Sequence, residues 1–233
     1  MVLQKFRSNR QRSTAVASLC LAFLLPACTP DSGRPTLAPV TTSSVPSGVA
    51  DSVDPGVQAL TAVLTSSTKA TFSATYKVTT KLGATEHEVK LSHDPDQFAI
   101  TVALGTPTGI GLFGGGNAAT CTGFPAICKS GIDERKLNEL QITSTFWGPA
   151  AARSLNIQAS RTTEPIATSK PTIAGNAATC VTVVIGVGTN AEFCALASGA
   201  LARWDDPTRH IELTTFVTGV DPANFAPPAP VTR

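Results

Sequence analysis

The sequence predicts an α+β fold, a curved antiparallel sheet or half-barrel wrapping a few helices, as a single domain. Three observations lead there. An apolar period near 3.6 between Val57 and Leu64 gives way to a period of two over three consecutive runs from Phe72 to Leu104. Turn-forming residues separate those runs at short intervals. Late in the chain, two strand-like runs meet at Gly186-Val187-Gly188 and carry Cys180 and Cys194 at matching distances from the turn. A helix, a meander, a central helical stretch and further strands make the order of an α+β domain.

The elements follow in sequence. Asp54-Pro55 has the form of a helix N-cap and first position, and Val57, Leu60, Val63 and Leu64 recur at helical spacing behind it. In the first strand Phe72, Ala74, Tyr76 and Val78 alternate with Thr71, Ser73, Thr75 and Lys77. The second sets His87, Val89 and Leu91 against Glu86, Glu88 and Lys90, and the third carries Phe98, Ile100, Val102 and Leu104. Leu82-Gly83-Ala84 and His93-Asp94-Pro95-Asp96 read as the turns between them. Residues 133–140, DERKLNEL, and the stretch from Trp147 to Leu155 read as short helices. Strands resume near Thr179, continue through Ala200 to Trp204 and close with His210 to Val217.

The hairpin fixes a pairing. Centred on Val187, it sets Cys180 opposite Cys194, Thr182 opposite Glu192, Val181 opposite Phe193 and Val183 opposite Ala191. Sulfurs and polar partners then share one face and the other face is apolar, as a half-buried hairpin requires. Directly opposed strand residues lie roughly 4.5 to 5.5 Å apart, within reach of a disulfide. By elimination Cys121 pairs with Cys128 around Phe124-Pro125. Four thiolates on zinc would need ligand pairs two to four residues apart, roughly, and neither pair has that gap.

The N-terminus bears on location. Lys5, Arg7, Arg10 and Arg12, with no acidic residue, precede the apolar or small run Thr14 to Leu25, which is an export signal by pattern. A spanning helix needs roughly 20 apolar residues, and this run reaches about half that before Pro26. Leu25-Pro26-Ala27-Cys28 resembles the lipobox of bacterial lipoproteins, with Pro26 departing from the small residue usual in its slot. The expectation is cleavage after residue 27 and lipidation of Cys28, anchoring the chain to the outer face of the cytoplasmic membrane. An ordinary secreted protein, with Cys28 incidental, is the alternative. Residues 28–53, rich in Pro, Ser and Thr, read as an extended tether, 54–228 as the folded domain and 229–233 as a tail.

The chain has 18 basic and 16 acidic residues. Four of the basic ones lie in the signal, leaving 14 against 16 and a mature charge near −2, which argues against nucleic acid as a partner. Of six cysteines, Cys20 goes with the signal and Cys28 takes the lipid. The remaining four make an even set in an exported chain.

Several candidate chemistries have weak warrants. Gly109-Ile110-Gly111-Leu112-Phe113-Gly114 matches GxGxxG, but no helix follows it, so a flexible hairpin or mobile rim is the expectation and no cofactor is implied. His87, His93 and His210 have no carboxylate or cysteine pattern beside them, and His87 alone sits on an apolar face, so no metal site is expected. No GxSxG or SxxK nucleophile occurs, and Asp205-Asp206 and Asp133-Glu134 read as a turn and a helix N-terminus, so no catalytic residues are assigned. GNAATC at 116–121 and 175–180 reads as small residues leading into a strand, not as a repeat.

The first strand FSATYKVT, the cysteine-closed loop, the Cys-to-Cys hairpin followed by Gly199-Ala200-Leu201-Ala202-Arg203, and the closing IELTTFVTGVDPANFAPP together resemble actinobacterial lipoproteins related to the lipoprotein-carrier (LolA-like) superfamily. The resemblance implies a half-barrel with an apolar concavity capped by helices, and in some members a bound lipid or acyl chain. On that reading Phe72, Tyr76, Phe98, Ile100 and Val102 face an apolar ligand. In the alternative they pack solidly on the helices of a tethered structural or interaction module.

Overall fold

The computed structural model describes residues 54–104, 109–138 and 140–233. The segment read as a signal, Cys28 and the segment read as a tether lie outside the described residues. The first helix, α1 (Pro55–Ser66), starts where Asp54 caps it, its carboxylate accepting from the amides of Gly56 at 2.8 Å and Val57 at 3.2 Å. Its buried stripe is Val57, Leu60 and Leu64.

Beyond it the alternation forms the expected meander of β1 (Phe72–Thr80), β2 (Thr85–Asp94) and β3 (Gln97–Ala103). Their register stacks apolar residues in cross-strand rows, Tyr76 beside Val89 beside Val102, and Ala74 beside Leu91 beside Ile100. The glycine-rich segment extends the rows as β4 (Gly109–Gly114), with Ile110 opposite Val102 and Leu112 opposite Ile100. This corrects the expectation of a mobile rim. Ile110 and Leu112 are buried in the core, and Gly114 leaves the space that the Phe98 ring occupies across the strand pair. The glycines serve close aromatic packing on a strand, so their presence did not mean flexibility.

The sheet continues through β5 (Ala119–Thr122) and β6 (Ile127–Ser130). The stretch read as helical over 133–140 is a single turn, α2 (Arg135–Asn138). Glu134 bonds instead to Ser144, through its amide at 3.0 Å and its hydroxyl. A π-helical turn, Phe146–Ala150, then leads into α3 (Ala151–Ala159), so the helical stretch runs four residues beyond the expected end at Leu155. The second half of the sheet comprises β7 (Ala167–Ser169), β8 (Thr172–Ile173), β9 (Asn176–Gly186), β10 (Thr189–Leu196), β11 (Leu201–Asp205) and β12 (Arg209–Thr218).

The chain closes the arrangement by pairing β12 with β1, so the open sheet runs β6-β5-β4-β3-β2-β1-β12-β11-β10-β9-β7. Register shifts at Thr75/Tyr76, Cys194/Ala195 and Thr189/Asn190 are bulges of the kind that bend strands. One face carries a continuous core with α1, the π-turn and α3 packed into it. The result is an α+β domain with a curved, unclosed antiparallel sheet around helices.

The opposite face of β3 to β6 has a smaller cluster, Ala99, Phe113, Cys121 and Cys128, covered by Phe225 of a 3-10 turn (Pro222–Phe225) and by Ala229. Two residues later β13 (Val231–Thr232) pairs in parallel with Cys128 and Lys129 of β6. Residues 229–233, set apart as a tail on sequence, therefore belong to the sheet and its cover.

Candidate functional site: the helix-covered face of the sheet

Phe72, Tyr76, Ile100 and Val102 lie together on the covered face, all buried, and Phe98 is partly buried against the same core. Alternation along β1 and β3 turns them inward, and the helical segment supplies their partners. Tyr76 meets Phe146 edge-on with ring centres 5.1 Å apart, and Phe72 packs against Trp147, His93 and Phe216. The Tyr76 hydroxyl, fully enclosed, has no hydrogen-bond partner among the described residues. Burial raises its pKa far above the ordinary phenol value, so it is a neutral, unpaired polar group inside apolar surroundings.

Sequence reasoning placed His93 in a turn and His87 on the apolar face. The structure brings His93 onto that face as well and keeps His87 there, opposite Val78. The strand β2 extends to Asp94, so His93 faces inward opposite Phe98, its ring centre 4.1 Å from that of Trp147, while His87 is only half-buried near the other end of the strand. Nδ1 of His93 donates to the carbonyl of Ala70 at 2.8 Å, which fixes the tautomer because a carbonyl can only accept. His210 also departs from expectation in having carboxylates close by, 3.4 Å from Asp205 and 3.5 Å from Glu212. The β11–β12 pairing sets Asp205 opposite it, a proximity that no linear motif records.

On the uncovered face, Arg203 reaches Glu192 at 3.1 Å and Glu212 at 2.7 Å across three adjacent strands. Hydrogen bonding to Arg203 holds the Glu212 carboxyl below its ordinary range. Asp206 is buried, accepts from Trp204 Nε1 at 2.8 Å and from the amides of Thr208 and Arg209, and so staples the β11–β12 turn, while Arg209 lies over the Trp204 ring. These groups tie strands together.

Disulfides join Cys121 to Cys128 and Cys180 to Cys194, each between directly paired strand residues. The two GNAATC copies thus each deliver a cysteine to a cross-strand bridge. Glu192 lies near the second pair of sulfurs, but disulfide sulfur is not the thiolate a metal needs.

No protein-family model and no curated protein matches the sequence. Among solved structures, MucB aligns at 13% identity and a TM-score of 0.46, over 75% of this chain and 61% of MucB. The MucA/MucB complex of Pseudomonas aeruginosa gives 12% and 0.46, over 72% of this chain and 58% of that one. LprF from Mycobacterium bovis gives 13% and 0.40, over 74% of this chain and 98% of LprF. The chain therefore spans about three fifths of the MucB chains it matches.

Two clefts among the described residues lie away from Phe72, Tyr76, Phe98 and Ile100. One of about 620 Å3 separates the end of α3, at Gln158 and Arg161, from the β9–β10 hairpin at Val184 to Gly188. Another, about 180 Å3, borders Val102 but opens on the side of Phe113 and Cys121.

Proposed function

We propose that this is a cell-envelope lipoprotein, anchored through Cys28, whose domain holds a lipid or other apolar ligand between the sheet and its helical cover. The observation that carries the ligand reading is the Tyr76 hydroxyl. An unpaired hydroxyl in an apolar interior costs about 1–3 kcal/mol, and a ligand with an ester or hydroxyl group reaching Tyr76 would supply the missing partner. Entry requires the π-turn and α3 to move off the sheet, and a π-helical turn containing Pro149 is a natural place for such movement.

The second reading, a tethered structural or interaction module, is favoured by the tight packing of Phe72, Tyr76 and Ile100, which are sealed from solvent. Organic extraction of the purified domain from Asp54 onward, followed by mass spectrometry, separates the two. A stoichiometric apolar molecule supports the carrier reading, and its absence from protein purified out of the native envelope removes it. Anchoring is tested separately by fractionation and intact mass of the wild type and Cys28→Ala. An acylated wild type in the membrane and a released variant are expected.

A further inference from the structure

Five of the eight exposed large apolar residues among those described, Leu82, Phe124, Ile127, Ile185 and Val187, lie at or beside hairpin tips. Leu82 is in the β1–β2 turn and 81% exposed, Phe124 in the β5–β6 turn and 79% exposed, and Val187 in the β9–β10 turn and fully exposed. Turns do not need such residues, which would ordinarily be polar or glycine.

Their strands pair without a break from β6 to β9, and Thr80 stands opposite both Thr85 and Arg209. In such an antiparallel series alternate links fall at alternate ends, so these three tips share one end of the sheet. The β2–β3, β4–β5 and β10–β11 links share the other.

The first helix runs along this axis. A side chain on Gly56 would run into Thr168, while Gly199 in the β10–β11 link abuts the carbonyl of Val63 and the amide of Ser67. Thr168 pairs with Val181, midway along β9, so α1 starts level with the middle of the sheet and runs away from the tip end. The strand carboxylates of that end are neutralised, Glu86 by Lys77 at 2.8 Å and Asp205 by Lys81 at 2.6 Å. Exposed Glu164 and Arg161 together border the cleft there.

We infer that this rim is a membrane-docking edge. Leu82, Phe124 and Val187 dip into the interface of the bilayer that carries the anchor, holding the domain with its tip end toward the lipid. An apolar, charge-balanced rim fits an acyl–headgroup boundary, and a lipid anchor on the same chain raises the local concentration of bilayer enough for shallow insertions to suffice. The inference rests on the anchored reading for the bilayer that stands close to the domain.

The test makes its own anchor. With the other four cysteines in disulfides, Cys28 is the free thiol of the chain beginning there, and it can be coupled to a maleimide lipid in phosphatidylcholine–phosphatidylglycerol vesicles. Phe124→Trp should shift its emission to the blue and be quenched by spin-labelled acyl chains. Val217→Trp, exposed near the opposite end, should show neither change, and buried Trp147 and Trp204 give a constant background. Adding Leu82→Asp and Val187→Asp to the Phe124→Trp reporter should cut the quenching roughly tenfold without moving the thermal midpoint. Absent quenching, equal quenching at both ends, or a blue shift that follows protein concentration without vesicles overturns the inference, the last pointing to a second copy of the chain. Because coupling is chemical, failure here says nothing about lipidation in the cell, which the Cys28→Ala fractionation decides.

Discussion

The His93 imidazole and the Trp147 indole are stacked at a tilt, ring centres 4.1 Å apart, joining the end of β2 to the π-helical turn that covers it. Burial lowers the His93 pKa from the ordinary 6.5, outweighing the Ala70 hydrogen bond and the Asp94 charge, which both favour the cation. The folded state then binds fewer protons than the unfolded one, so stability is complete above about pH 6.5 and is lost as the pH falls below it. The paired carboxylate Glu212 loses its contribution only in more acidic solution, below the unfolded value of 4.5.

A thermal or urea midpoint should accordingly fall between neutrality and about pH 5 in the wild type, and fall less in His93→Asn. Asparagine can still donate to Ala70 but cannot take a proton. Equal slopes in the two proteins would remove His93 as the cause.

Gly199 is a second sensitive joint. Its φ of +89° is left-handed, and a Cβ there would lie 2.6 Å from the Val63 carbonyl oxygen and 2.7 Å from the Ser67 amide nitrogen. Both obstacles are backbone at the end of α1 and cannot rotate away. Gly199→Ala should cost about 3 kcal/mol or more, read as a lowered urea midpoint. Gly116→Ala, with open space around it, should change little.

The contrast between these glycines marks how far the sequence was legible. Period-two alternation from Phe72 to Val102 gave the meander and its inward residues, because one face of each strand is buried and register follows burial. The hairpin register of Cys180 and Cys194 was readable for the same reason. What local pattern could not convey was long-range. The 109–114 glycines are shaped by the Phe98 ring across the sheet, His93 by a helical segment more than fifty residues on, and Val231–Thr232 by β6. Tyr76 was legible as inward-facing, but its lack of a hydrogen-bond partner depends on every element packed around it.

The disulfides should contribute unequally to function and stability. Chain-entropy estimates give about 3 kcal/mol for the Cys180–Cys194 loop and about 2.5 kcal/mol for Cys121–Cys128. Cys180→Ala with Cys194→Ala should lower the urea midpoint of the whole domain. Replacing Cys121 and Cys128 by Ala should in addition loosen Phe225 and Ala229, which pack on that bridge, and expose the segment after Thr218 to protease. Protease resistance equal to wild type would show that Phe113, Ala99 and the β13–β6 pairing hold the C-terminal cover without the bridge.

Tyr76→Phe separates the two functional readings most directly. In the unliganded domain the substitution deletes a buried hydroxyl without a partner and leaves the Phe146 edge contact intact, so stability should stay level or rise by about 1 kcal/mol. A loss of that size instead would mean that the hydroxyl is satisfied and the argument built on it fails. In the carrier reading the same variant removes the polar handle on the ligand, so the amount of apolar molecule extracted should drop while the protein becomes no less stable. Val102→Trp gives the complementary steric test. Val102 is buried beside Val89 and Ile110, so the larger ring should strain the unliganded core by about 1–3 kcal/mol. If the helical cover lifts to admit a ligand, added lipid should raise the thermal midpoint of the wild type with concentration and leave Val102→Trp unmoved, because the indole takes the ligand's place. A wild-type midpoint indifferent to lipid, together with a strained Val102→Trp, leaves a packed module on a tether.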